Sequence, residues 1–212
     1  MPGMNESGMR CGIGVPSRIA ALILAAGCSR RMNGASKLLA EVGGLPMVQR
    51  AVNTARALSL EVVVVTGHEA GAVCAQVAAS DVRLVHNPDY TSGMASSLRR
   101  GVAALPPEID GVLVMLADMP CLRPEHLARL MAAFTETGGV VVPFYQARRG
   151  NPVLWPRRYF VRLQTLEGDE GARSLLQSHA AEVVRVEMED DAVLVDVDTP
   201  DALAACQAGF LQ

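Results

Sequence analysis

From residue 18 onward the chain repeats one pattern: a short apolar run, a turn, then a helix-length amphipathic stretch. Residues 18–24, 61–66 and 111–116 are the clearest runs, rich in Val, Leu and Ile with almost no polar alternation. A strand that is apolar on both faces must be covered on both faces. Parallel strands also need crossovers of about a dozen residues, commonly helices. The pattern therefore predicts a mostly parallel, doubly wound sheet with helices on each side. Helices are expected over residues 47–58, 70–79, 94–104 and 124–135, with further strands at 82–85 and 140–142. Beyond that the regularity loosens. Extended segments are expected at 151–155, 182–186 and 192–195, a helix at 171–178, and a closing helix from Pro200. Residues 1–18 lack periodicity and read as a disordered leader, or a start placed too early, ahead of a single domain over 19–212.

Composition removes several functional classes. A net charge of −3 and a pI near 5.8 do not suit a nucleic-acid binder, which needs an excess of Lys and Arg against phosphates. No segment approaches the ~20 apolar residues of a membrane span. Arg10 and Arg18 precede an apolar run ending at Gly27-Cys28, but a lipoprotein signal normally has a large aliphatic residue where Ala25 stands. The five cysteines are scattered without a C-x-x-C pair and read as reduced thiols of a cytoplasmic protein. The histidines show no metal-ligand spacing. His126 and His179 read as exposed or half-buried helical residues, His86 as an anchor for the following turn, and Trp155 as core.

In an open α/β sheet, ligands bind beyond the carboxyl ends of the strands. That selects three loops. The first, Leu24-Ala25-Ala26-Gly27 continuing through Arg31 to Lys37, combines small residues that let a ligand approach the backbone with two cationic donors. It is neither a Walker loop nor a G-x-G-x-x-G fingerprint, and an ordinary solvated surface loop reads equally well from these residues alone. The second places Asp118 directly after a buried strand. A carboxylate there either binds something, Mg2+ with nucleotide phosphates being a natural partner, or caps the turn before Pro120. In the third, Asp196 and Asp198 fall on one face of an extended segment, and Thr199-Pro200 reads as a helix start. Asp198 is the better candidate for a second metal ligand.

Taken together, L-A-A-G-x-S-x-R-M-x-G-x-x-K-L, a strand-borne D-M-P and a late D-x-D-T-P resemble the MobA-like nucleotidyltransferases. Within that family the resemblance is nearest to the molybdenum cofactor cytidylyltransferases, which transfer CMP from CTP to molybdopterin. It covers residues 19–203 and includes the segments beginning at His86 (H-N-P-D-Y), Gly93 (G-M-A-S-S-L), Gly150 (G-N-P-V) and Gly168 (G-D-E-G-A-R). The resemblance implies a three-layer α/β/α Rossmann-like nucleotidyltransferase fold with a mostly parallel mixed sheet. It implies that Leu24, Ala25, Ala26 and Gly27 line the nucleotide, that Arg31 and Lys37 hold its triphosphate, and that Asp118 binds Mg2+. Gly93, Ser96 and Ser97 would lie beside the base and ribose. Guanylyl-transferring relatives tend to have Gly-Gly where this chain has Ala26-Gly27, and a methyl there leaves less room for a purine. Two positions depart from the family pattern: Asn33 stands where Gly is usual, and Asn151 where His is usual.

The implied partners are CTP, a molybdopterin-type cofactor and, transiently, an apo-molybdoenzyme or its chaperone, with neither nucleic acid nor membrane. The rival expectations are guanylyl transfer to the same cofactor, a sugar-phosphate nucleotidyltransferase, and a non-catalytic carrier of the pterin. A carrier has no need of a triphosphate and metal site, so Arg31, Lys37 and Asp118 together favour an enzyme.

Overall fold

The structure, a computed structural model, describes residues 17–28, 36–169 and 171–210. In chain order its strands are β1 (Ile19–Ala25), β2 (Glu41–Val42), β3 (Leu45–Pro46), β4 (Glu61–Thr66) and β5 (Arg83–His86). These are followed by β6 (Gly111–Leu116), β7 (Val140–Tyr145), β8 (Arg148–Arg149), β9 (Val153–Pro156) and β10 (Val183–Glu187). The helices are α1 (Met47–Arg56), α2 (Ala70–Val77), α3 (Met94–Ala103), α4 (Pro124–Thr137), α5 (Phe160–Leu163), α6 (Arg173–Ser178) and α7 (Pro200–Gly209).

One mixed sheet runs in the order β10-β7-β9-β6-β1-β4-β5, with β8 paired to β7. β1 sits between β4 and β6 and is parallel to both. β9 runs antiparallel between β6 and β7. The pleat sends alternate β1 residues to opposite faces. Ile19, Ala21 and Ile23 meet Val48, Val52, Val77 and Leu130 from α1, α2 and α4. Leu22 meets Leu98, Val102, Leu163 and Leu176 from α3, α5 and α6, with Trp155 buried in the same cluster. Each fully buried Leu or Val contributes about 1.5–3 kcal/mol relative to exposure, so two such faces hold the three layers together. This is the α/β/α arrangement that the uninterrupted Val and Leu runs call for.

α3 lies unusually close to the sheet. A Cβ on Gly101 would stand 2.3 Å from Leu22 Cδ1, so only glycine admits this approach. The two-residue strands β2 and β3 form a hairpin that no periodicity announces; Gly43 and Gly44 supply its turn with φ of +57° and +76°. Residues 192–195, expected as extended, instead form a 3-10 turn over Asp191–Leu194. Its cause is local, because Asp190 Oδ1 accepts from the Ala192 N–H at 3.0 Å and starts the turn. The leader expected over residues 1–18 lies outside the described residues as far as residue 16. Among the described residues no helix is long and apolar enough to cross a membrane.

Candidate active site

The carboxyl ends of β1 and β6 are tied together by a bond from the Ala117 N–H to the Leu24 carbonyl at 3.2 Å. Beyond them opens a cavity of about 470 Å³. Leu24, Ala26 and Gly27 form one wall, and Lys37, Asp118 and Asp198 lie at another. Ala25 is buried with its methyl in the core on the α1 side. Arg31 lies outside the described residues.

Lys37 begins a 3-10 turn after the first loop. Its ammonium donates to Asp118 Oδ2 at 2.5 Å and to Asp198 Oδ1 at 2.6 Å. The Lys37 and Asp118 side chains are only 12% and 15% exposed, so this is not a solvated surface pair. Burial alone would lower the Lys37 pKa, but Asp118 and Asp198 outweigh it and hold the ammonium above its ordinary value. For Asp118 the balance falls the other way. Burial pushes its carboxyl above the usual carboxylate range, and the Lys37 ammonium pulls it back only in part. Asp118 Oδ1 is buried and accepts no hydrogen bond among the described residues.

An orphaned carboxylate oxygen beside a second carboxylate fits a hard divalent cation. Among the described residues no three His, Cys, Asp or Glu side chains group closely enough to cage a metal by themselves. That suits an ion of the Mg2+ type, which takes one or two carboxylates and keeps places for phosphate oxygens and water.

The segment carrying Asp198 is held by main chain. The Val197 N–H donates to the Asp118 carbonyl at 2.9 Å, and Thr199 caps α7 by accepting from the Ala202 N–H at 3.2 Å. Asp196 also faces the cavity, one pleat away from Asp198, as the two-residue spacing predicts.

The far wall comes from the start of α3. Gly93 takes φ +107°, and a Cβ there would lie 2.4 Å from Asp169 Oδ1 and 2.6 Å from the Gly168 carbonyl. Glycine is thus required for the 168–169 loop to close against α3. Ser97 lines the cavity, whereas Ser96 is buried behind it with its hydroxyl turned to the Gly93 and Asp89 carbonyls. Tyr90, Met94 and Asp169 also line this wall, and sequence reasoning singled out none of them for the site. Asp169 had a usable signal in G-D-E-G-A-R, a segment already tied to the family pattern.

Two expectations outside the cavity are corrected. His126 is buried, neither exposed nor half-buried, and its polar atoms are met there: Asp190 Oδ1 lies 3.2 Å from Nε2 and Nδ1 accepts from the Arg123 N–H. The turn after His86 is held by Asn87, whose Oδ1 accepts from the Asp89 N–H at 3.1 Å, while His86 itself is exposed.

Residues 21–183 match the model of the MobA-like NTP transferase domain. The chain belongs to this family. Its relatives within reach differ in what their names say. Nicotine blue oxidoreductase of Paenarthrobacter nicotinovorans is 31% identical, covering 94% of this chain and 98% of that protein. Molybdenum cofactor cytidylyltransferase of Escherichia coli strain K12 is 25% identical, covering 87% of this chain and 93% of that one. Among solved structures, Rv0371c of Mycobacterium tuberculosis superposes with a TM-score of 0.83 at 28% identity, covering 92% of this chain and all of that one. A second structure of Rv0371c, in complex with manganese, gives a TM-score of 0.78. In this MobA-like chain the described flanks of the first loop, Leu24, Ala26, Gly27 and Lys37, line one cavity with Asp118, Asp196 and Asp198 beyond the carboxyl ends of β1 and β6.

Proposed function

We propose that this MobA-like chain transfers CMP from CTP to the terminal phosphate of a molybdopterin-type acceptor, with Mg2+ held by Asp118 and Asp198. The observation that carries this reading is the Lys37 ammonium bridging those two carboxylates while Asp118 Oδ1 stays buried and accepts no bond among the described residues. An acceptor phosphate oxygen attacks the α-phosphorus in line, the new P–O bond forms, and the α–β bridging oxygen leaves with pyrophosphate. That nucleophile is already ionised at neutral pH, so the chain needs no general base. Bound cation would neutralise charge on the triphosphate and on the departing pyrophosphate. Lys37 supplies a fixed positive charge to the same oxygens, and Arg31 would add a second. Leu24, Ala26 and Gly27 let the nucleotide approach the backbone, and the Ala26 methyl narrows the space for a purine.

Support comes from the family, from the cytidylyltransferase relative, and from the manganese bound by Rv0371c. The test is pyrophosphate release from CTP, GTP, ATP and UTP with molybdopterin and Mg2+ or Mn2+, with the pterin product identified by mass. CTP should lead, and Ala26→Gly should raise GTP use relative to CTP. Equal use of all four nucleotides, or release without a cytidylylated product, would overturn the substrate assignment.

A second reading is favoured by the full-length likeness to nicotine blue oxidoreductase. In it the same cavity holds a reducing dinucleotide instead of a triphosphate. Oxidation of NADH or NADPH by the purified chain with a quinone-like dye, in place of pyrophosphate release, would select that reading.

A further inference from the structure

Ser97 reaches the cavity from the first turns of α3, and its neighbour decides which way its hydroxyl points. That neighbour is Asn87, whose side chain is fully buried. The Asn87 N–H donates to the Thr66 carbonyl at 2.7 Å, which anchors the residue to the end of β4. Its Oδ1 accepts from the Asp89 N–H at 3.1 Å. A backbone N–H can only donate, so the amide is oriented without ambiguity and its NH2 faces α3. From there Nδ2 donates to Ser96 Oγ at 2.8 Å and to Ser97 Oγ at 3.0 Å.

Both hydroxyls therefore accept from Asn87 and must place their own protons elsewhere. Ser96 donates to the Gly93 carbonyl at 2.8 Å, with the Asp89 carbonyl at 3.0 Å as an alternative. Among the described residues Ser97 has no such acceptor, and it is the one of the pair in the cavity wall.

We propose that Asn87 is a positioning residue for nucleotide selection, holding the Ser97 hydroxyl as a hydrogen-bond donor aimed into the cavity. The site then takes a nucleoside edge that offers lone pairs, such as O2 and N3 of cytosine. It disfavours an N–H at the same place, because two donors would face each other in a partly buried wall. The inference rests on the cavity being a nucleotide site, and the test separates the two.

Asn87→Asp replaces the NH2 with an oxygen, which draws the Ser97 proton inward and away from the cavity. CTP affinity, measured by calorimetry with Mg2+, should fall roughly tenfold, the scale of one lost hydrogen bond in such a site. The KM for CTP should rise more than kcat falls. Ser97→Ala should weaken CTP binding comparably, and adding Asn87→Asp to it should change nothing further. Full additivity of the two losses, or wild-type CTP binding by a folded Asn87→Asp protein, overturns the proposal. If Ser97→Ala itself leaves CTP binding intact, the nucleotide-wall reading fails and takes this one with it. Should the buried carboxylate prevent folding, Asn87→Ala serves instead. It must weaken CTP binding when Ser97 is present and have no effect when Ser97 is Ala; an effect in both backgrounds marks Asn87 as merely structural.

Discussion

The Lys37 ammonium lies 2.5 Å from the Asp118 carboxylate across 81 positions of sequence. With Asp198 also in contact, one positive charge faces two negative ones. One ammonium thus bridges two carboxyl groups in a largely buried wall, a cluster that a divalent cation and a triphosphate would complete.

Lys37→Ala and Asp118→Asn should each reduce CMP transfer by roughly two orders of magnitude or more, the scale for losing a main electrostatic stabiliser. Pyrophosphate release under saturating CTP measures it. Near-wild-type turnover by Asp118→Asn would remove that residue from the metal assignment. Lys37→Ala also leaves the two carboxylates facing each other without their cation. Its melting temperature should therefore rise more on adding Mg2+ than that of the parent protein.

Asp190 should account for part of the acid sensitivity. Burial acts to raise its pKa, but the Ala192 N–H, Arg123 and His126 outweigh burial and hold the carboxyl below its usual value. The stability it contributes is present above the unfolded carboxylate pKa of about 3.9 and is lost as pH falls through the lower folded value. Urea midpoints of the parent and of Asp190→Asn should differ near pH 7 and converge once the pH has fallen through the lowered folded value. A gap of constant size across that range would show that the charge is not responsible.

Gly101→Ala should destabilise the fold even though alanine favours helix. The propensity gain is at most about 1 kcal/mol. Against it, the added methyl would sit 2.3 Å from Leu22 Cδ1 and 2.9 Å from Val65 Cγ2, within the sheet's buried centre. Overpacking of this kind costs about 1–3 kcal/mol, so a net loss is expected in a denaturant titration. A gain in stability would mean that α3 can move away from the sheet at no cost.

Cys121 and Cys206 lie 3.5 Å apart, sulfur to sulfur. Burial and this contact push the Cys121 pKa up to about 12. Thiolate is the reactive form, so native Cys121 should alkylate at least about tenfold more slowly than the half-buried Cys28 and Cys74. Mass mapping of a labelling time course reads this directly, and equal rates in the native protein would contradict it.

Much of the fold was legible because uninterrupted Val runs leave few covering solutions. β4 and β6 fall on the residues expected of them, and α1 and α3 start where their apolar spacing begins. Strand direction is a different matter. Nothing local in Val153–Pro156 distinguishes an antiparallel β9 from a parallel one, and two-residue strands such as β8 have no period to detect. The sheet-edge rule accounts for Asp118 after β6 and for the loop that leads from β1 to Lys37, whereas Asp198 follows no sheet strand and is brought there by the Val197 N–H bond to the Asp118 carbonyl. Asn87 was hidden by its own motif, since N-P-D-Y reads as a turn and is one, while its amide also works on Ser96 and Ser97. The Cys121–Cys206 contact spans 85 positions and has no sequence signature at all.

The bond from the Val197 N–H to the Asp118 carbonyl belongs to the main chain and survives any replacement of the acids beside it. Framework and charge are therefore separable here. A variant that lost both acids would keep the same hollow at the sheet's edge, with its shape intact and its charge gone.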